Sequence, residues 1–101
     1  MKINIGKFVI VRCRDAGVHA GFLVDYEGRT AVLNQARRLW YWGVPQGSPD
    51  YLSGVSLDGL AAESEIGAPL DGLVLTETCE IIPCTEKAQA SIQAHPIARR
   101  Q

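Results

Sequence analysis

Apolar and polar residues alternate along the first third of the chain in a pattern that predicts three antiparallel strands joined by short turns. The run "KFVIVRCR", from Lys7, is rich in β-branched residues and ends at the turn-forming "DAG". A second strand, "VHAGFLVDY", alternates so that its predicted core face consists of Val18, Ala20, Phe22 and Val24. The "EG" at 27 and 28 predicts a tight hairpin turn into a third strand, "RTAVLNQ".

After these strands the pattern predicts a loop, a helix and further strands. The segment "GVPQGSPD" holds two glycines and two prolines in eight residues, which is typical of a loop. Next, "SLDGLAAES" predicts a short central helix capped by Ser56, although Gly59 costs such a helix about 1 kcal/mol relative to alanine. The stretch "LVLTETCEIIPC" predicts one long or two short strands, with Pro83 at the end because proline donates no ladder hydrogen bond.

The last predicted element is a helix over "TEKAQASIQA", for which Thr85 is a suitable N-cap. Ala88 and Ile92 form a narrow apolar stripe, and "HP" ends the helix. Together the elements predict one α+β domain over residues 1–101: a small twisted antiparallel sheet or partly closed barrel of about five strands, with a C-terminal helix and a short central helix. A 101-residue domain buries only a modest core, so we expect a homo-oligomer.

Composition narrows the expected location and chemistry. Only a four-residue apolar run precedes Arg12, and no segment is long enough to span a bilayer, so we expect a cytoplasmic protein with reduced thiols and no membrane contact. Cys79, Cys84 and His95 lack the paired C-x-x-C spacing of structural zinc, and we expect no metal and no cofactor. Catalytic motifs such as H-E-x-x-H and G-x-S-x-G are absent, so we expect no enzymatic activity. A cysteine and a histidine that meet only in the fold, Cys13 or Cys84 with His19 or His95, stay the alternative.

Charge is unevenly distributed, although the formal net charge is only −1. Residues 1–42 hold seven basic and three acidic residues, whereas residues 43–86 hold eight acidic residues and no basic one. This asymmetry can steer an anionic ligand to the first half, or pair the basic face of one subunit with the acidic face of another. Alternatively, the two halves neutralise each other within one fold. The acidic second half argues against nucleic-acid binding.

The segment "ARRLWYW", residues 36–42, carries the most specific functional pattern. If it continues the third strand, one face carries Arg38, Trp40 and Trp42. The other face then carries Arg37, Leu39 and Tyr41. An arginine beside aromatic rings suits a nucleotide-like ligand, because guanidinium binds phosphate in a bidentate fork and the ring stacks on a base. The candidate ligand-binding residues are Arg37, Arg38, Trp40, Tyr41, Trp42 and His19.

Two structural interpretations compete with ligand binding. Trp and Tyr bury large areas, so the block also suits the core of a small domain, with its arginines extending outward. The same residue types favour a protein interface. His19 shares a strand face with Gly21, and glycine in a strand marks the close approach of another backbone or of a ligand. A lone strand histidine is more often a surface or hydrogen-bonded residue, so both roles stay open for His19.

The stretches "AGVHAGFLVDYEGRTAVLNQARRLWYW" and "LTETCEIIPCTEKAQASI" resemble an uncharacterised family of small phage and prophage proteins. A "GVxxG" strand, an "ARRLWYW" segment and a closing "EIIPCTEKA" recur there in this order, and the resemblance covers about Val9 to Ile92. The loop "GVPQGSPDYLSGV" departs from the shorter, more helical connection of that family. The resemblance implies a phage accessory protein, with counter-defence as one such role.

These patterns lead us to expect a non-catalytic phage accessory protein that self-associates and binds a small anionic, nucleotide-like ligand. Arg37 or Arg38 would hold phosphate, and Trp40, Tyr41 or Trp42 would stack a base. The alternative is a protein-interaction module that binds and inhibits a host protein through the acidic second half of the chain.

Overall fold

The computed structural model describes residues 2–99, which form six strands and two helices. The strands are β1 (Phe8–Cys13), β2 (Val18–Glu27), β3 (Thr30–Tyr41), β4 (Glu65–Ile66), β5 (Leu73–Leu75) and β6 (Thr78–Pro83). The helices are α1 (Tyr51–Asp58) and α2 (Glu86–Ala94). The predicted α+β class is confirmed, with six strands where about five were expected.

The six strands form one curled antiparallel sheet. Their order is β4-β3-β2-β1-β6, and β5 pairs with β3 on the same edge as β4. The first three strands form the predicted meander, and Gly28 turns the β2–β3 hairpin with a φ of 56°. Only Thr76 and Glu77 separate β5, which pairs with β3, from β6, which pairs with β1. So short a connection between opposite edges requires the sheet to curl, although it does not close.

The curled sheet is covered on both faces. The helix-side core lies between the sheet and the helices, and its buried members are Phe8, Ile10, Ala20, Leu39, Leu52, Val55, Leu60, Ile66 and Ile92. The inner core lies within the curl, and its buried members are Val9, Val11, Cys13, Leu23, Ala31, Leu33, Ala36 and Leu75. From Phe8 to Val11, successive β1 residues point alternately into the two cores, which explains why these four residues form an apolar run.

The predicted core face of β2 needs two corrections. The pairing of β2 with β3 shifts between Leu23 and Asp25, which makes Val24 the extra residue of a bulge. Val24, predicted to lie in the core, is therefore 45% exposed. Leu23, predicted on the opposite face, is fully buried because the inner core covers that face as well.

Of the two helices, α2 agrees with the sequence pattern and α1 does not. The Thr85 hydroxyl oxygen accepts a hydrogen bond of 3.1 Å from the backbone N–H of Ala88, and Ala88 and Ile92 are buried. The predicted position of the central helix is wrong, because Ser56 lies near the end of α1 instead of capping its start. Gly59 ends α1 with a φ of 91°, a conformation that favours glycine and stops the helix before "LAAES".

Candidate functional site

A bulge in β3 decides which face each residue of "ARRLWYW" takes. Between two regular stretches of β2–β3 pairing, the single residue Gly21 lies opposite Gln35 and Ala36, and Gln35 has a left-handed φ of 51°. A Cβ at Gly21 would lie 2.7 Å from the carbonyl oxygen of Asn34, so the predicted close approach is that of another backbone. The extra residue inverts the alternation, so Leu33 and Ala36, three positions apart, both reach the inner core.

Arg37 points into the helix side of the sheet and is only 4% exposed. Its Nε donates to the carbonyl oxygen of Gly67, and its Nη1 donates to the carbonyl oxygens of Ile92 and His95, each over 2.7 Å. The last two carbonyls belong to the C-terminal end of α2, where a cation complements the helix dipole. Burial lowers the pKa of Arg37. Arg37 therefore joins β3 to α2, and its guanidinium is not placed to hold a ligand phosphate as the sequence suggested.

Arg38 points the opposite way, into a groove of about 330 Å³. We call it the Arg38 groove, and its lining residues are His19, Ala36, Arg38, Trp40, Gly67, Ala68, Leu70 and Leu73. One wall is the chain that connects β4 to β5 along the edge of β3. This chain touches β3 at Ile66, again at Leu70 and again from Leu73, and the interruptions leave room for the groove.

The guanidinium of Arg38 is an uncompensated cation. It makes no hydrogen bond and no ion pair with any residue in the described range 2–99. By contrast, Arg12 contacts Glu80 at 2.7 Å and Arg29 contacts Glu77 at 4.0 Å. The basic and acidic halves of the chain thus neutralise each other in part within the fold, and Arg38 is among the basic residues that stay unpaired within residues 2–99.

The aromatic ring that accompanies Arg38 is that of Trp40. It lines the groove with 62% of its surface exposed, and Leu70 on the opposite wall is 58% exposed. Large apolar side chains exposed together around a concavity are unusual on a monomeric surface and are typical of binding sites. Arg38 and Trp40 therefore lie on the face of the segment that is open to a ligand. Arg37 lies on the opposite face, which packs against the rest of the fold.

The other predicted aromatic residues lie outside the Arg38 groove. Trp42, expected beside Trp40, instead packs against the helix-side core and lines a second groove of about 480 Å³. The pairing of β3 with β4 shifts after Leu39, which ends the regular alternation before Trp42. In the second groove Arg12 is already paired with Glu80, so its charge is compensated. Tyr41 is 54% exposed at the end of β3 and lines neither groove.

His19 lies at the floor of the Arg38 groove and is 1% exposed. Its Nε2 is 2.8 Å from the carbonyl oxygen of Ala16, and since a carbonyl only accepts, Nε2 carries the proton and Nδ1 is an acceptor. Nδ1 is buried without a partner among residues 2–99. Burial lowers the pKa of His19, the hydrogen bond to Ala16 opposes that effect, and the Arg38 cation lowers the pKa further.

The cysteines are poorly placed for nucleophilic chemistry. Cys13 is buried in the inner core, which raises its pKa, and burial raises the pKa of Cys84 to about 12. Raised thiol pKa values disfavour the thiolate that nucleophilic chemistry requires. Within residues 2–99, no three His, Cys, Asp or Glu side chains are grouped to hold a metal ion.

The described part of the chain also lacks a helix with the length and apolar character needed to cross a bilayer.

The wall of the Arg38 groove was missed by sequence reasoning. Gly67, Ala68, Leu70 and Leu73 carry no chemistry that a motif would select. The available signal was the Gly/Pro break in "IGAPLDG", because an interrupted edge strand leaves a gap beside its neighbour.

No curated protein and no solved structure matches the chain. A family model described as a domain of unknown function, DUF6948, matches residues 6–92. The matched range contains every residue that lines the Arg38 groove. The chain belongs to the DUF6948 family of domains of unknown function.

Proposed function

We propose that this protein is a non-catalytic binding protein whose Arg38 groove takes a small anionic, nucleotide-like ligand. The observation that supports the proposal is an unpartnered guanidinium, that of Arg38, beside the exposed ring of Trp40 in one groove. The guanidinium would bind phosphate oxygens and the indole ring would stack on a base. Of the six residues predicted to bind the ligand, the proposed site keeps Arg38, Trp40 and His19.

The size and lining of the groove fit such a ligand. Its volume of about 330 Å³ falls at the lower end of small-molecule sites, which span roughly 300–1,000 Å³. Its lining is mainly apolar, with Arg38 as the one charged residue, and that mixture is usual for pockets that orient a ligand by few polar groups. The second groove is larger, but the ion pair of Arg12 with Glu80 leaves no free cation for an anion.

The proposal includes self-association and a phage accessory role. Trp40 and Leu70 give the groove an exposed apolar rim, and exposed aromatic residues next to arginine are common at protein interfaces. A second copy seated on this rim would enclose the ligand. The phage role is supported by the resemblance of "ARRLWYW" and "EIIPCTEKA" to segments of small phage proteins. The chemistry of the Arg38 groove supports the ligand class and has no bearing on the phage role.

A thermal-shift screen against linear and cyclic nucleotides tests the ligand class. A ligand present at about 100 times its Kd stabilises the folded state by about 2.7 kcal/mol, which raises Tm by roughly ten degrees or more in a domain of this size. Arg38→Gln is expected to weaken binding about tenfold or more, because a hydrogen bond to a charged group contributes about 1.5–3 kcal/mol. Trp40→Ala should weaken it similarly, since stacking on a base is worth about 1–3 kcal/mol.

Arg14→Gln and Tyr51→Ala are matched controls for these two variants. Arg14 is exposed and its side chain has no partner within residues 2–99, and Tyr51 is 79% exposed. Neither residue lines the Arg38 groove, so the controls remove the same charge and a similar ring without touching the proposed site. Stabilisation by no nucleotide, or equal loss of affinity in the control variants, contradicts the proposal.

The alternative function, capture of a host protein by an acidic surface, is favoured by one observation. Glu63 and Glu65 are exposed and form no ion pair within residues 2–99, whereas Glu77 and Glu80 are paired with arginines. A pull-down from host lysate should therefore lose its captured protein when both glutamates are changed to lysine. Capture that survives this charge reversal removes the alternative.

A further inference from the structure

We propose that His19 takes up a proton when a phosphate-type dianion binds to Arg38, so that the Arg38 groove recognises a phosphate monoester in preference to a monoanion. The inference rests on the proposed function, because it assigns the charge of the ligand and the part played by a second residue of the same site. The proton comes from solvent, and no covalent bond of the ligand changes.

The two residues are placed to sense each other's charge. His19 and Arg38 are cross-strand partners in the pairing of β2 with β3, and both line the groove. Directly opposed residues on one face of an antiparallel pair have Cβ atoms about 4.5–5.5 Å apart. His19 is 1% exposed and Arg38 is exposed, so water and salt screen this interaction less than they would screen two surface groups.

Without a ligand, the surroundings of His19 favour the neutral ring. Burial and the Arg38 cation both lower the pKa of His19, and the hydrogen bond to the Ala16 carbonyl opposes them. On β1 the cross-strand partner is Val11, and the nearby titratable group of that strand is the buried thiol of Cys13. The wall between β4 and β5 contributes only uncharged residues to the groove. No carboxylate lines the groove to support an imidazolium ion.

A bound dianion reverses this balance. Two negative charges more than compensate the guanidinium, so the ring of His19 then lies beside net negative charge, which favours its protonated form. Protonation also turns Nδ1 into a hydrogen-bond donor, and Nδ1 is the buried atom that has no partner among residues 2–99. A monoanion only neutralises the charge of Arg38, so it favours the protonated form of His19 less than a dianion does.

NMR titration of the histidine rings tests the coupling over roughly pH 5 to 8. The chain has two histidines, so His95→Gln identifies the His19 signal. The probes are AMP, GMP, CMP and UMP at saturation, each compared with its uncharged nucleoside. A bound monophosphate should raise the pKa of His19 by about one unit or more, and the nucleoside should leave it unchanged. Because phosphate itself titrates near pH 6, phosphorus spectra of the same samples follow its ionisation separately.

Arg38→Gln gives a second measurement that needs no ligand. Removing the cation should raise the pKa of His19 in the free protein, because the charge that opposes protonation is gone. The side chain of Arg38 is exposed and makes no hydrogen bond or ion pair within residues 2–99, so the variant is expected to fold.

The outcomes separate the inference from the proposed function. If a monophosphate binds and His19 titrates as before, the inference is wrong and the proposed function stands. If His19 also titrates unchanged in Arg38→Gln, the electrostatic coupling itself is absent. Failure of all four monophosphates to bind overturns the inference, and the proposed function falls with it only if the linear and cyclic nucleotides of the thermal-shift screen also fail to bind.

Discussion

The helix-side face and the groove face of the sheet use neighbouring residues of one type in opposite ways. Arg37 is 4% exposed and donates to three backbone carbonyl oxygens, whereas Arg38 is exposed and unpartnered within residues 2–99. The first arginine completes the fold, and the second leaves a charge available to a ligand. The comparison shows that residue type indicates phosphate chemistry only after the face of the strand is known.

The largest expected effect separates the two arginines by stability. Arg37→Leu should lower the free energy of unfolding by about 3 kcal/mol, because it leaves the carbonyls of Gly67, Ile92 and His95 without their donor. Arg38→Leu should change it by less than about 0.5 kcal/mol, as is usual for an exposed side chain without partners. Urea unfolding measures both, and equal losses would contradict the division of roles between the faces.

The bulge that sets the two faces apart should tolerate no side chain at Gly21. Gly21→Ala places a Cβ 2.7 Å from the carbonyl oxygen of Asn34 and 3.0 Å from the Cα of Ala36, so we expect a loss of about 2 kcal/mol. Gly67→Ala is the matched control, since its Cβ would meet nothing closer than 3.8 Å. Comparable unfolding midpoints for the two variants would show that the close approach at the bulge is not needed.

The buried histidine of the groove face should make stability depend on pH. Because the pKa of His19 is lowered in the folded state, its contribution is complete above the ordinary histidine pKa of 6.5 and is lost as pH falls below that value. His19→Gln should flatten the stability curve in this window. Asp58, whose pKa is lowered from 3.8 by hydrogen bonds from Ser48 and Lys87, acts at lower pH. A curve that keeps its slope in His19→Gln would contradict this assignment.

The smallest expected effect is a difference in labelling rate among the three cysteines. It should leave the free energy of unfolding unchanged. Cys13 belongs to the inner core, Cys84 packs against the helix-side core, and Cys79 is exposed on β6. Brief treatment of the native protein with iodoacetamide should label Cys79 first, since burial protects the other two and raises the pKa of Cys84 to about 12. Peptide mass spectrometry reads the order, and early labelling of Cys84 would show that the helix-side core opens.

Local sequence patterns predicted those elements whose structure depends on residues close to each other in the sequence. The meander follows from turn-forming residues between apolar runs, and α2 follows from the Thr85 cap and the spacing of Ala88 and Ile92. The separation of Arg38 and Trp40 from Arg37 also follows from strand alternation. These features need no knowledge of the rest of the fold.

The remaining features depend on contacts between distant parts of the chain. Nothing local marks Gln35 as a left-handed bulge residue, because that conformation is imposed by pairing with β2. Burial of Arg37 requires α2 to end beside β3, 55 residues later in the sequence. Alternation along β2 placed Leu23 opposite the predicted core face. That face is also buried, because the curl of the sheet provides a second core.

The bulge at Gln35 also has an evolutionary consequence. Deleting the extra residue at this point would restore regular alternation and keep Arg37 opposite Ala20 and Arg38 opposite His19, because Gly21 would then pair with Ala36 alone. A relative one codon shorter here would thus keep both the anchor of the fold and the ligand-binding charge on their present faces. Relatives that differ in length here should be compared by the strand face of each arginine. An alignment without a gap would match Arg37 of one chain with the counterpart of Arg38 in the other, and these two residues have opposite roles.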